Sequence, residues 1–186
     1  MARYGAEHKQ ATRRRMIETA GRRFKTDGID GSGIATLVAD AGLTNGAFYG
    51  HFSSKDDLVA AVVTDQLDTQ VALIDSLPGR AGVEAFVRDY LSAAHRDDPA
   101  AGCPSAALLD EIGRCDGAVR HAYTAGVRSV IAAIARHLDD AEEQAVGLVG
   151  LLVGALQLAR AVEDREMSDR ELAAAHANAL RLLEPA

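Results

Sequence analysis

Between Gly42 and Lys55 the chain gathers side chains suited to gripping a polyanion. Thr44 and Asn45 stand at a helix start, where backbone N–H groups and the positive end of the helix dipole favour phosphate. Gly46 and Ala47 are small enough to let the backbone approach base edges and a thymine methyl. Asn45 can pair bidentately with adenine, and Tyr49 and His51 carry donors suited to phosphate oxygens. Lys55 falls in the first turn of the next helix, against the usual dipole preference, which an external anion would explain. Core packing is the competing reading for Tyr49, and a passive surface position for His51.

Other reactive side chains form no catalytic pattern. His95, His121, His137 and His176 show neither His-x3-His nor His-Glu-x2-His spacing, so no metal is expected. Cys103 and Cys115 are separated by a helix's length and carry no zinc spacing. Cys103 reads as a small residue at a helix start, with a redox-sensing thiol as the alternative. The acid pairs Asp110-Glu111, Asp139-Asp140 and Glu142-Glu143 are helix neighbours that do not face one another. No Ser-His-Asp order, phosphate loop or dinucleotide fingerprint is present, so neither an enzyme nor a cofactor is implied.

The elements that must position these residues are helices. Ile17, Ala20, Gly21 and Phe24 predict a first helix from about Lys9 to Lys25, stopped near Gly28. Ile34, Leu37, Val38 and Ala41 repeat that spacing in a short second helix, ended by Gly42 in a left-handed conformation. Thr44 caps a third helix to about His51, and Ser53-Ser54 with Asp56-Asp57 start a fourth that reaches Leu77. Pro78-Gly79 breaks it. A fifth helix is expected from Gly82 to His95, a sixth from Pro104 to Gly113, and a seventh along Val119, Tyr123, Gly126, Val130, Ile134 and Leu138. An eighth runs from Ala141 to Glu163, and a ninth from Asp169 to Leu183 with Ser168 as N-cap. The expectation is an all-α chain of about nine helices: a three-helix helix-turn-helix head over residues 1–53, then a helical bundle over 54–186.

Charge follows the same division. Residues 1–55 hold nine Lys and Arg against five acids, whereas residues 56–186 hold eleven Arg against 22 acids. A basic head on an acidic body points the head, and only the head, at a polyanion, with a solvated Arg-rich first helix as the equal alternative from charge alone. The apolar share of 48% suits a globular core, and the 4% of aromatics with no Trp favours helices over strands. The Met-Ala-Arg-Tyr-Gly start lacks the apolar core of a signal peptide, and the uncharged stretch from Gln144 to Ala159 falls short of a bilayer span. A cytoplasmic location without membrane attachment is the expectation.

The run Gly42-Leu43-Thr44-x-Gly46-Ala47-Phe48-Tyr49-x-His51-Phe52-x-Ser54-Lys55-x-x-Leu58, with Gly28 ahead of it, resembles the DNA-binding signature of TetR-family transcriptional regulators. The resemblance covers roughly Thr12 to Val62. It implies DNA contacts at Ser32, Thr44, Asn45, Tyr49, His51 and Lys55, with Gly46 and Ala47 on the same helix. Gly102-Cys103-Pro104-Ser105-Ala106-Ala107-Leu108 also looks like the start of the sixth helix in many members. Gly31 and Gly33, where members often carry Ser, Thr or Ala, weaken the start of the second helix. Asn45 stands where Lys, Arg or a small residue is common, which bears on operator choice.

By the same resemblance the two C-terminal helices form a homodimer interface, supplied by Gly147, Gly150, Leu151 and Gly154 on one and His176, Leu180 and Leu183 on the other; burial within one subunit is the alternative. Phe86, Tyr90, Cys103, Tyr123 and Gln157 are the expected wall of an apolar pocket for a small-molecule effector, with plain core packing as the alternative for each. The function expected is a homodimeric repressor released from palindromic double-stranded DNA by that effector. A helical enzyme with a vestigial head and an adaptor with a basic interaction face are the alternatives; a catalytic cluster would favour the first, sequence-independent binding the second.

Overall fold

The computed structural model describes residues 2–184, with side chains from Glu7 onward. Its described residues form ten helices and no strand. The head holds α1 (Ala2–Asp27), α2 (Ile34–Asp40) and α3 (Asn45–Tyr49). Gly28 (φ +80°) and Gly42 (φ +64°) end α1 and begin the turn into α3 in the left-handed region that glycine adopts freely. At Gly42 the expected motif is complete: the Leu43 N–H donates to Val38 O at 2.9 Å and the Gly42 N–H to Ala39 O at 2.9 Å. Thr44 Oγ1 accepts from Ala47 N at 3.4 Å, capping α3 as expected.

The Ser53–Ser54 turn, where the expected head boundary falls, leads into α4 (Lys55–Asp75). Ser54 Oγ accepts from Asp57 N, while Asp57 Oδ2 accepts from Ser53 N, a reciprocal cap. Phe24, Phe48 and Phe52 pack with Leu58, Val59 and Val62 of α4, so one hydrophobic core runs through head and body. The body continues with α5 (Gly79–Tyr90), α6 (Ala93–Asp97), α7 (Pro104–Arg114), α8 (Gly117–Arg136), α9 (Glu142–Ala161) and α10 (Arg165–Leu182). The α4–α8 and α9–α10 pairs form its most extensive contacts.

Two expected helices need correction. The single fifth helix is α5 and α6, broken at Leu91–Ser92, because Ser92 turns extended and its Oγ accepts from His95 N at 3.2 Å. The last helix begins earlier than Asp169, capped by Asp164, whose carboxylate accepts from Glu166 N and Met167 N. Ser168 is instead buried within it, donating to Ala159 O at 2.6 Å and accepting from the buried Arg96 guanidinium at 2.9 Å. The uncharged stretch lies within α9, which passes for a membrane span by length and composition alone. In the fold it packs against α7, α8 and α10 with one face uncovered.

The α4–α8 pair closes on Gly126. A Cβ there would lie 2.4 Å from Leu67 Cδ1 and 2.8 Å from Leu67 Cβ, so the two backbones could not approach as they do. Gly126→Ala should therefore destabilise by about 1–3 kcal/mol through overpacking, despite alanine's better helix propensity. Gly113→Ala, in open space on α7, should be neutral or gain up to about 1 kcal/mol. Urea midpoints check both, and equal midpoints for the two variants would contradict the close approach.

Candidate functional site

The outer face of the head presents Thr44, Asn45, Gly46 and Tyr49, all exposed, with Ala47 half-buried behind them. Tyr49 is 66% exposed and rests its ring edge-on against Phe48 at 5.1 Å, which removes the core reading. His51 is half-buried, and its Nδ1 is enclosed without a protein partner. Burial, then Lys9 and Arg13 of α1, hold its imidazole below the ordinary value, so the ring is neutral at pH 7 with one N–H to donate. Arg13 also stacks its guanidinium 4.9 Å from the Phe52 ring centroid. Lys9 and Arg13 thus join the basic face beside His51. Both belong to the basic excess of residues 1–55, whereas Arg14 is paired with Glu18 at 2.7 Å.

Lys55 is half-buried in a groove that also includes Asp30, Asp56, Glu111 and Arg114. Ser32 is the exception among the expected contacts. It is 2% exposed, and its hydroxyl donates to Gly28 O at 2.9 Å, holding the α1–α2 turn rather than facing outward.

Two polar links tie the head to α7. Glu111 Oε2 accepts from the backbone N–H groups of Ile29 at 2.7 Å and Asp30 at 3.2 Å. Lys25 of α1 donates its Nζ to Gly102 O at 2.8 Å, just before α7. Burial pushes the Lys25 ammonium below its ordinary value.

Beside that second link lies a cleft of about 490 Å³. Phe86, Tyr90 and Cys103 line it as expected, joined by Lys25, Gln66, Gln70 and His95. Tyr123 and Gln157 do not line it. The Tyr123 hydroxyl donates to Ser105 Oγ at 3.0 Å, and Ser105 lines a narrow apolar recess that continues inward past Tyr90 and Cys103. Gln157 lies on α9, half-buried and outside both lining sets. The sequence reading missed Gln66 and Gln70, although two amides at i and i+4 among the apolar residues of α4 were a readable signal. The Cys103 Sγ donates to Gln70 Oε1 at 3.6 Å, and the Cys103 N–H donates to His95 Nε2 at 3.1 Å. His95 Nδ1 therefore carries the proton and donates to Tyr90 O at 2.8 Å. Burial holds His95 below its ordinary value and pushes the Tyr90 phenol well above its own. The Tyr90 hydroxyl is enclosed beside the Cys103 thiol, without a nitrogen or oxygen partner.

At the other end of the body, Gly147, Gly150 and Gly154 are exposed on α9 between Val146 (50%) and Leu158 (47%). A Cβ at Gly150 or Gly154 would meet nothing within 4 Å. Leu151, His176 and Leu180 are half-buried beside this face. Leu183, expected there, is 2% exposed and belongs to the core.

A helix-turn-helix head joined to a helical body with a cleft defines a class of two-part regulator, and comparison with known proteins places the chain within it. Residues 16–62 match the model for bacterial regulatory proteins of the tetR family. The HTH-type transcriptional regulator TtgR of Pseudomonas putida is 38% identical over 69 residues, 37% of this chain and 33% of TtgR. That alignment spans about a third of its length. The uncharacterized HTH-type transcriptional regulator TtgW of the same species is 31% identical over 96 residues, 51% of this chain and 72% of TtgW. The fold matches reduced Escherichia coli NemR with a TM-score of 0.78 at 23% identity, covering 92% of this chain and 96% of NemR. SCO4454, a TetR-family regulator from Streptomyces coelicolor, matches at 0.68 and 25% identity, covering 93% and 96%. The chain belongs to the TetR family.

The half-buried His95 gives the fold a pH dependence with a definite sign. Its folded value is depressed, so below about pH 6.5 the unfolded chain binds a proton that the folded chain refuses. Stability from this residue is full above that pH and is lost as pH falls through the folded value. His51 acts in the same direction. The urea midpoint should drop between pH 7.5 and 5.5, and His95→Gln should flatten that drop; an unchanged slope in the variant would assign the effect elsewhere.

Proposed function

We propose that the chain is a DNA-binding transcriptional regulator that works as a homodimeric repressor and leaves a palindromic operator when a small effector fills the cleft. The observation that carries this reading is the outer face of α3. Asn45, Gly46 and Tyr49 stand clear of the core on a helix whose start is fixed by the Thr44 cap, with Lys9, Arg13 and His51 alongside. Phosphate contacts from Tyr49, His51 and Lys55 would fix register, while Asn45 would read a base edge, with Gly46 and Ala47 allowing close approach. Ser32 contributes by shaping the turn before α2. The regulator names of the relatives support the same reading, which assigns residues 1–53 to DNA and 54–186 to effector and dimer.

A palindrome needs two heads. The uncovered α9 face is the pairing surface in this reading, because exposed Val146 and Leu158 flank glycines that no intramolecular contact explains. Effector binding would bias head spacing through α4, which runs from Lys55 into the body, with a typical coupling of about 1–3 kcal/mol.

With DNA selected from a random pool, Lys55→Ala should weaken binding to all sequences alike and lower the salt slope by about one charge per half-site. Asn45→Ala should relax preference at one or two base pairs, costing about 1–3 kcal/mol per half-site. Unchanged affinity in both variants would defeat this assignment of the face. Gly150→Arg should sediment as a helical monomer that binds the operator poorly; an intact dimer would move the interface elsewhere.

A further inference from the structure

The cleft carries an unbalanced charge. Leu73, Leu77, Ala85 and Phe86 make much of its lining hydrocarbon. Its polar wall is the connected series Lys25, Gly102, Cys103, His95 and Tyr90. Arg160 reaches this wall from α9 and donates to the carbonyls of His95, Arg96 and Ala106. Among the described residues neither Lys25 nor Arg160 forms an ion pair; each spends its donors on backbone carbonyls. Arg22 adds a third positive charge near Lys25. Two acids are close. Asp98 faces Lys25 and Arg160 electrostatically, but its carboxylate accepts from Ala101 N, and Asp89 is an exposed member of the lining.

A half-buried ammonium without a bound counter-charge bears a desolvation cost that an anion arriving with a hydrocarbon body would offset. The Tyr90 hydroxyl on the lining is enclosed with only the Cys103 thiol beside it; the Gln66 carbonyl oxygen is enclosed too but, as an acceptor, offers nothing to an anion. The phenol is a donor at any physiological pH, so it complements an oxyanion.

We propose that the cleft takes an amphipathic organic acid, with its hydrocarbon body against the apolar lining and its carboxylate on the Lys25 ammonium and the Tyr90 hydroxyl. This rests on the reading of the cleft as the effector site and adds the chemical class of the effector. Lys25 belongs to α1, so the same residue that binds the acid anchors the head to Gly102. A carboxylate competes with the Gly102 carbonyl for that ammonium, and the charged end of the ligand acts on the head directly. A cationic ligand would meet Lys25 and Arg160 with like sign, and a neutral one would leave the ammonium uncompensated.

Calorimetric titration of the full chain with octanoate, octan-1-ol and octylamine separates these cases. Octanoate should bind at least tenfold more tightly than octan-1-ol, with octylamine weakest. Lys25→Met should remove the advantage of the acid over octan-1-ol, and Lys25→Arg should keep it. Because the chain has no Trp, Phe86→Trp places a single indole at the cleft, and its emission should shift when octanoate enters. Equal binding of acid and alcohol, tightest binding of the amine, or an acid advantage that survives in Lys25→Met overturns the carboxylate inference while the cleft remains an effector site. If none of the three ligands binds and the indole is silent, the effector-site reading falls and takes this inference with it.

Discussion

The carboxylate of Glu111 holds the head in place. It is a body residue, yet it satisfies two backbone donors of the turn between α1 and α2, at Ile29 and Asp30. The turn can approach it only because residue 28 is glycine: the φ of +80° disfavours a side chain, and a Cβ there would stand 2.9 Å from Glu111 Oε1. Hydrogen bonds to an ionised acceptor are stronger and more directional than neutral ones. The orientation of α2, and of α3 behind it, is therefore referred to α7 and not only to the covalent chain.

That arrangement makes α7 a strut between the cleft and the head. Cys103 and Pro104 form the cleft wall at its start, and Glu111 grips the head about two turns later. A helix of this length moves more readily as a unit than it bends. Displacement of its first turn by a bound molecule would carry the carboxylate, and with it the turn at Gly28. The α4 helix supplies the hydrophobic half of the same linkage, since Leu58, Val59 and Val62 belong to the head core while Leu67 and Ile74 belong to the body.

Local chemistry in the sequence located most of the elements. Gly42, Thr44 and Ser54 act as their types predict, because caps and left-handed stops depend on neighbours within four residues. Periodicity misled where it crossed a break: the apolar spacing runs on through Leu91, and spacing alone does not show that Ser92 restarts the helix. Ser168 looked like a cap because nothing local announces that a buried Arg96, 72 residues away, requires its hydroxyl. The exposed face of α3 was legible, since its residues are consecutive on one short helix. The cleft was legible only in part. Lys25 reaches Gly102 across 77 residues, a distance over which helix register carries no information, and the same limit misplaced Tyr123 and Gln157.

The glycines of α9 have a consequence for how the fold survives in dilute solution. Gly147, Gly150 and Gly154 each weaken a helix by about 1 kcal/mol relative to alanine, and within one subunit no contact compensates Gly150 or Gly154. On the proposed pairing, compensation comes only from a second copy. Folding and association are then linked by mass action, and the melting temperature rises with the logarithm of chain concentration. Newly made, scarce subunits would be the least stable ones and the most exposed to proteolysis, so the abundance of the protein would feed back on its own lifetime.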